Sequence, residues 1–253
     1  MDCINPEGTN LQDMTWLEAE AAFKAKAVAI LPVGSTEAHG PHLPLQTDLL
    51  IAIEIARRGA ATLARRGIRT VILPPLAYGV SAASSPFAGT ITVSPTTLQG
   101  LIQDICISLA NHGCTYVCIS SAHLEPAHLE AIRAAAEAVG CKVSIPDPRE
   151  ERWAVRLSEE FRRGARHAGG HETSLILASR PDVVRTEELQ QLEPVWIDLP
   201  DRFAEGARTF KEAGSELAYF GDPRVASHEE GEILYDVLGE MIALSVQEMM
   251  HRR

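Results

Sequence analysis

Four short apolar runs, at residues 27–33, 70–73, 115–120 and 142–145, are rich in β-branched side chains and nearly uninterrupted by polar ones. A strand that is apolar on both faces is covered on both, as in a parallel sheet lying between helical layers. The intervening stretches at 49–66, 96–112 and 126–139 have helical length. Strand and helix alternate, which predicts an α/β fold assembled through right-handed crossovers. The helix ends are punctuated accordingly. Arg65-Arg66-Gly67 and Asn111-His112-Gly113 each close a helix on a glycine, and Ser94-Pro95 opens one with a capping side chain followed by proline. A last helix is expected at 229–249, after an irregular excursion at 199–225 whose Gly, Asp and Arg residues name no chemistry.

Composition narrows the function. With 253 residues, 45% hydrophobic and 23% charged, the chain can enclose one large core, so a single domain over residues 1–253 is expected. A formal net charge of −11 opposes a phosphate backbone as partner, which excludes nucleic acid and favours small molecules or peptides. The five cysteines are odd in number, lie mostly in apolar segments and form no Cys-x-x-Cys pair. They read as reduced thiols of a reducing cytosol. The first residues, Met1-Asp2-Cys3-Ile4-Asn5-Pro6-Glu7, lack the basic and apolar parts of a signal peptide. No apolar run approaches the ~20 residues of a membrane span, so a cytoplasmic protein with no membrane partner is expected.

The chemistry concentrates where the apolar runs stop. Directly after the first run, Gly34-Ser35-Thr36-Glu37-Ala38-His39-Gly40-Pro41-His42-Leu43-Pro44-Leu45-Gln46-Thr47-Asp48 places two carboxylates and two imidazoles within fifteen residues. Glu37 and His39 are two apart, so an extended backbone points both the same way. Gly40, Pro41 and Pro44 forbid a continuous helix and let the loop fold back, bringing Asp48 within reach. Asp48 also has a competing task beside a helix N-terminus, where its charge suits the macrodipole. After the third run, His123-Leu124-Glu125 repeats the two-residue spacing, and both loops would serve one crevice outside the carboxyl ends of the strands. His128 falls in the first turn of the helix begun by Pro126, where a surface residue rather than a ligand is expected, and is left out of the site. His167-Ala168-Gly169-Gly170-His171-Glu172 packs further titratable groups around glycines, with a helix boundary as the plain alternative. Acids and imidazoles without thiolates suit Zn²⁺ or Mn²⁺. A Glu, His, Asp, His, Glu set exceeds what one tetrahedral ion needs, and two ions bridged by Asp48 would use it fully.

These residues resemble the creatininase (creatinine amidohydrolase) family. The likeness is carried by Gly34-Ser35-Thr36-Glu37-Ala38-His39-Gly40-Pro41-His42 with Asp48, by Pro74-Pro75-Leu76-Ala77-Tyr78-Gly79-Val80-Ser81, by Gly89-Thr90-Ile91, by His123-Leu124-Glu125 and by His167-Ala168-Gly169-Gly170-His171-Glu172-Thr173-Ser174. It implies a three-layer α/β sandwich with a central, mostly parallel sheet, two divalent ions per chain (Zn²⁺ or Mn²⁺, with Fe²⁺ a third option), and a homo-oligomer, often a hexamer. It implies that Glu37 and His123 hold one ion, His39 and Glu125 the other, and Asp48 bridges them. A metal-bridging hydroxide would then attack an amide carbonyl of a small cyclic amide, formamide or related substrate, with His167 protonating the leaving nitrogen. Glu125 and Glu172 join His167 as catalytic groups, Glu172 either orienting His167 or approaching the metal. Tyr78, Ser81 and Arg163 are expected around the substrate. The chain departs from creatininase proper at Arg163 and Gly164, where that enzyme has a Trp-Asp pair, and this points away from creatinine itself. The alternatives are a member acting on a modified peptide or a cyclic ketone, and a non-catalytic metal- or ligand-binding member. A nucleotide-binding module fails for want of a Gly-x-Gly-x-x-Gly loop after the first strand.

Overall fold

The computed structural model describes residues 8–164 and 166–252. Cys3 and the rest of the first seven residues, on which the expectation about a leader rests, lie outside them. Five parallel strands form one sheet in the order β1-β3-β2-β4-β5. They are β1 (Thr9–Asn10), β2 (Val28–Val33), β3 (Thr70–Ile72), β4 (Tyr116–Ser121) and β5 (Lys142–Ser144). Four were legible as apolar runs; the two-residue β1 was not. The connections are α1 (Trp16–Lys24), α2 (Thr47–Arg65), α3 (Pro95–Asn111) and α4 (Pro126–Glu137). After β5 come α5 (Glu151–Ala154), α6 (Glu159–Arg162), α7 (Gly170–Ser179), α8 (Thr186–Gln191), α9 (Leu199–Ala204), α10 (Phe210–Ala213) and α11 (His228–His251).

The continuous apolar runs are explained by what covers each face. Along β2, Val28 and Ile30 join the core against α2, α7 and α11, whereas Ala29, Leu31 and Val33 join the core against α1, α3 and α4. Side chains alternate across a strand, so a strand between two helical layers has no position to leave polar. Each large aliphatic buried in these layers contributes roughly 1.5–3 kcal/mol. Pro32 is tolerated in this central strand because the Pro32 carbonyl, and with it the ring nitrogen, faces the β3 side, where β3 has already ended opposite Ile30.

The helix punctuation acts as read. Ser94 accepts a hydrogen bond from the Thr97 amide, with Pro95 in the first turn. Gly67 and Gly113 take positive φ just past α2 and α3. The excursion at 199–225 is not featureless: α9 and α10 lie within it and support a small apolar cluster containing Phe210 and Phe220. Cys106, Cys114, Cys118 and Cys141 are free thiols. Among the described residues, no helix is long and apolar enough to cross a membrane.

Candidate metal centre

The carboxyl ends of β3, β2 and β4 lie side by side, and the loops leaving them carry the titratable groups. Gly34 ends β2 against the first turn of α2, where a Cβ would stand 2.5 Å from the Leu49 amide nitrogen. That contact presses Asp48, in the first turn of α2, into the crevice with Glu37 and His39. All three are essentially inaccessible to solvent. The helix N-terminus and the site thus share Asp48, as its two tasks required.

Three histidines are oriented by backbone carbonyls. His123 donates from Nε2 to the Val80 carbonyl (2.7 Å), His39 from Nδ1 to the Glu37 carbonyl (3.1 Å), and His167 from Nε2 to the Ala38 carbonyl (2.8 Å). Each then turns its other nitrogen toward acids, where that nitrogen holds either a proton or, through its lone pair, a cation. His123 Nδ1 lies 3.0 Å from Glu37 Oε1 and 3.1 Å from Asp48 Oδ2. His39 Nε2 lies 3.2 Å from Asp48 Oδ1 and 3.6 Å from Glu172 Oε2. His167 Nδ1 lies 3.8 Å from Glu37 Oε1. Glu37 Oε1 and Asp48 Oδ2 are buried without any aimed hydrogen-bond donor, despite the nearby imidazole. Lone pairs converging in a dry crevice need a cation, and the hard oxygen and imidazole donors fit a divalent ion. Glu37, Asp48 and His123 form one three-donor set and His39, Asp48 and Glu172 another; a third, Glu37, His39 and His167, overlaps both.

The electrostatics agree. Burial alone would raise the Asp48 and Glu37 carboxyls, yet His39 and His123 beside Asp48, and His123 beside Glu37, hold both below the usual range. Burial would lower His39, but Asp48, Glu172 and Glu37 raise it to about 10. The crevice thus retains positive charge, which protons supply when no metal is bound. His167 differs: burial and the neighbouring His39 lower it to about 4 against the pull of Glu37 and Asp48. Its ring is packed between His39 and Phe210, each with centroids 4.3 Å away.

Several supports were invisible in the spacing. His128 is fully buried rather than at the surface, and its Nδ1 accepts the Val80 amide, fixing the very residue whose carbonyl orients His123. Ser84 donates to Glu37 Oε2 at 2.5 Å. His42 bonds to Thr173 Oγ1 and takes no part in the donor sets. Ala168 adopts φ +51, and its amide is held by Glu172 Oε2 at 2.6 Å. The turn that presents His167 is therefore clamped by a carboxylate of the second donor set. Behind it, the buried Glu160 accepts the His171 and Asp222 amides in a space left by Gly169 and Gly221, where a Cβ would come within 2.2 and 2.1 Å of its carboxylate.

A cavity of about 410 Å³ opens on this centre, lined by Glu37, Asp48, His123, Glu125, His167 and Glu172. The other residues expected at the site are placed as follows. Glu125 lines the cavity beside His123, with its oxygens accepting the Ala82 and Ala83 amides, outside the three donor sets, whereas Glu172 joins the set of His39 and Asp48. Tyr78 is 52% exposed and does not line the cavity. Ser81 is buried behind His123, its Oγ 3.4 Å from Nε2, and bonds to Ser35. Arg163 turns outward to Glu159, and it is Gly164 that lines the cavity, together with Arg149, Arg166, Leu199, Pro200, Phe203 and Phe210.

A family model described as creatinine amidohydrolase matches residues 12–246. A mycofactocin precursor peptide peptidase of Mycolicibacterium smegmatis is 32% identical over 82% of this chain and 79% of that protein. A creatinine amidohydrolase of Pseudomonas putida is 30% identical over 93% of this chain and 95% of that protein. A crystal structure of creatinine amidohydrolase superposes with a TM-score of 0.77 at 26% identity, covering 98% of this chain and all (100%) of that one. Solved creatininases include a manganese form, with a TM-score of 0.76 at 26% identity over 97% of this chain and 100% of that one, and a zinc form of a variant, with a TM-score of 0.75 at 25% identity over 97% and 99%.

Proposed function

Because the chain belongs to the creatininase family of metal-dependent amidohydrolases, we propose that it hydrolyses the C–N bond of a small cyclic amide, formamide or related substrate with two divalent ions, Mn²⁺ or Zn²⁺. The observation that carries this reading is Asp48, whose two oxygens face two different histidines. Each histidine has its tautomer set by a carbonyl and a further carboxylate close by, so Asp48 is suited to bridge. Glu37 and His123 would complete one site, His39 and Glu172 the other. Ions bound there would supply Lewis acidity to a substrate carbonyl and a water of lowered pKa.

The chain's own groups would do the rest. His167, neutral at pH 7, offers Nδ1 to take a proton from the nucleophile and return it to the leaving nitrogen. Glu125 has its carboxyl raised by burial, against the pull of His123 and two amides, and faces the cavity as a second proton carrier. Phe203, Phe210, Leu199 and Pro200 would exclude water from the reacting bond.

Creatinine itself is disfavoured, since Gly164 leaves no side chain and Arg163 turns outward where a stacking ring and a carboxylate would be needed. A second reading, cleavage of an amide in a modified peptide, is supported by the relatives named mycofactocin precursor peptide peptidase. Membership also favours a homo-oligomer, which light scattering would test.

The purified protein, assayed on lactams, formamides and short peptides, should lose turnover to chelator and regain it with Mn²⁺ or Zn²⁺. Full turnover by metal-free protein would overturn the proposal. Stoichiometric metal without turnover on any amide would favour a binding protein instead.

A further inference from the structure

Two guanidinium groups line the cavity that opens on the metal centre, and neither pairs with its acids. Arg149 spends Nε and one terminal nitrogen on Asp147, at 2.9 and 2.7 Å. Asp147 is also bound by Arg133 at 2.9 Å, so this acid is already shared between two cations. Arg166 is half-buried and commits only Nε, to the Phe161 carbonyl at 2.9 Å, while its charged head lies 4.9 Å from the centre of the Phe161 ring. Among the described residues, no carboxylate lies within ion-pair range of Arg166. Asp198 and Asp147 attract Arg166 from beyond that range, but Asp198 caps α9 through the Asp201 amide and sits against Gly164, and burial together with Arg149 outweighs both. A half-buried cation beside another, with no acid in direct contact, costs free energy that an incoming anion recovers.

We infer that the substrate carries a carboxylate, and that Arg166, with Arg149 beside it, receives that group while the amide carbonyl lies at the metal centre. This rests on the amidohydrolase reading of the same site and narrows its substrate class to amides of amino or other short carboxylic acids. The free terminal nitrogens of Arg166 form a planar fork, which matches a carboxylate better than a lysine would. Leu199, Pro200, Phe203 and Phe210 supply the apolar wall between the two polar regions of the substrate.

Calorimetry on the Mn²⁺-loaded protein tests this with matched pairs: N-acetylphenylalanine against its primary amide, and 5-oxoproline against 5-oxoprolinamide. The acid of at least one pair should bind about tenfold or more tightly than its amide. Arg166→Gln should abolish the preference, Arg166→Lys should keep part of it, and Arg180→Gln, at an exposed arginine paired with Asp182 outside the cavity, should leave it unchanged. Metal content must be equal in all four proteins. A preference that survives in Arg166→Gln means that the carboxylate is held by the ions alone, and overturns the inference. So does equal binding of acid and amide, or binding of neither. Turnover separates the two proposals. Hydrolysis of acids and amides alike sinks the carboxylate inference only, whereas an Arg166-dependent preference with no hydrolysis sinks the amidohydrolase reading only.

Discussion

The Val80 carbonyl stands 2.7 Å from His123 Nε2, and this one hydrogen bond decides which ring nitrogen of His123 faces Glu37 and Asp48. Val80 is itself held from the other side, because its amide donates to His128 Nδ1. The loop after β3 therefore acts as a brace for a histidine carried just past β4, and the candidate metal centre draws on three adjacent strand ends rather than two. The same device recurs at His39, where the Glu37 carbonyl sets the ring. An imidazole held in one tautomer gives its lone pair to a cation without reorganising.

Asp48→Asn should separate the bridging role from the packing role. The amide keeps the shape of the carboxylate but replaces one lone-pair oxygen with an N–H donor and removes the charge that both histidines face. Metal content by elemental analysis should fall from about two ions per chain to one or fewer. Affinity for the remaining ion should drop roughly a hundredfold or more. Wild-type metal content in the variant would contradict the bridge.

Gly34→Ala tests how the fold delivers that residue. A Cβ at Gly34 meets Leu49 N at 2.5 Å and Asp48 C at 2.8 Å, and both are backbone atoms that cannot turn away. The start of α2 must shift, at a cost of roughly 1–3 kcal/mol. For a chain of this size that lowers Tm by about 2–4 °C per kcal/mol. The shift also displaces Asp48, so metal affinity should fall together with Tm. A stable variant with wild-type affinity would show that the contact relaxes freely.

The raised pKa of His39 sets the pH dependence. Its folded value, about 10, exceeds the ordinary 6.5. In metal-free protein the imidazolium therefore contributes stability that is fully present below pH 6.5 and is lost as pH rises through about 10. Metal ions replace those protons. Adding Mn²⁺ at pH 8 should release protons, measurable by calorimetry in buffers of different ionisation enthalpy, and affinity should weaken as pH falls. Absence of proton release at pH 8 would show that His39 is already neutral.

How much of this was legible follows from where local rules hold. Glu37 and His39 converge because the chain leaving β2 stays extended, so the two-residue rule applies. At His123 and Glu125 it does not describe the backbone, although both line the cavity. β4 ends at Ser121 and Pro126 starts α4, so Glu125 flanks a helix, outside the alternation of a strand. Glu172 reaches His39 and Asp48 from α7, an element whose approach depends on tertiary packing and which no spacing encodes. Arg149, Arg166, Phe203 and Phe210 come from segments without periodicity. The signals available were the apolar pair Phe203 and Phe210 within a polar excursion and an arginine directly before His167. The sheet itself was readable because helices cover both faces and force continuous apolar runs.

His167→Ala is the sharpest test of the chemistry. Its Nε2–H is committed to the Ala38 carbonyl, so the nitrogen left for catalysis is Nδ1, which faces the donor cluster from 3.8 Å. Burial and His39 hold the ring neutral, at about 4, so near pH 7 it begins the cycle as an acceptor. The two donor sets that share Asp48 are complete without it. Removing the ring should therefore leave the metal content near the wild-type value while turnover falls by about 10²–10⁴. KM should change little, because the lost interaction belongs to the proton in flight and not to the bound substrate. Packing will suffer where Phe210 loses its neighbour, so His167→Gln, which refills part of the space without a proton shuttle, should show the same rate loss with a smaller drop in Tm. Loss of metal in both variants would make His167 a ligand, and unchanged turnover in either would remove it from the reaction.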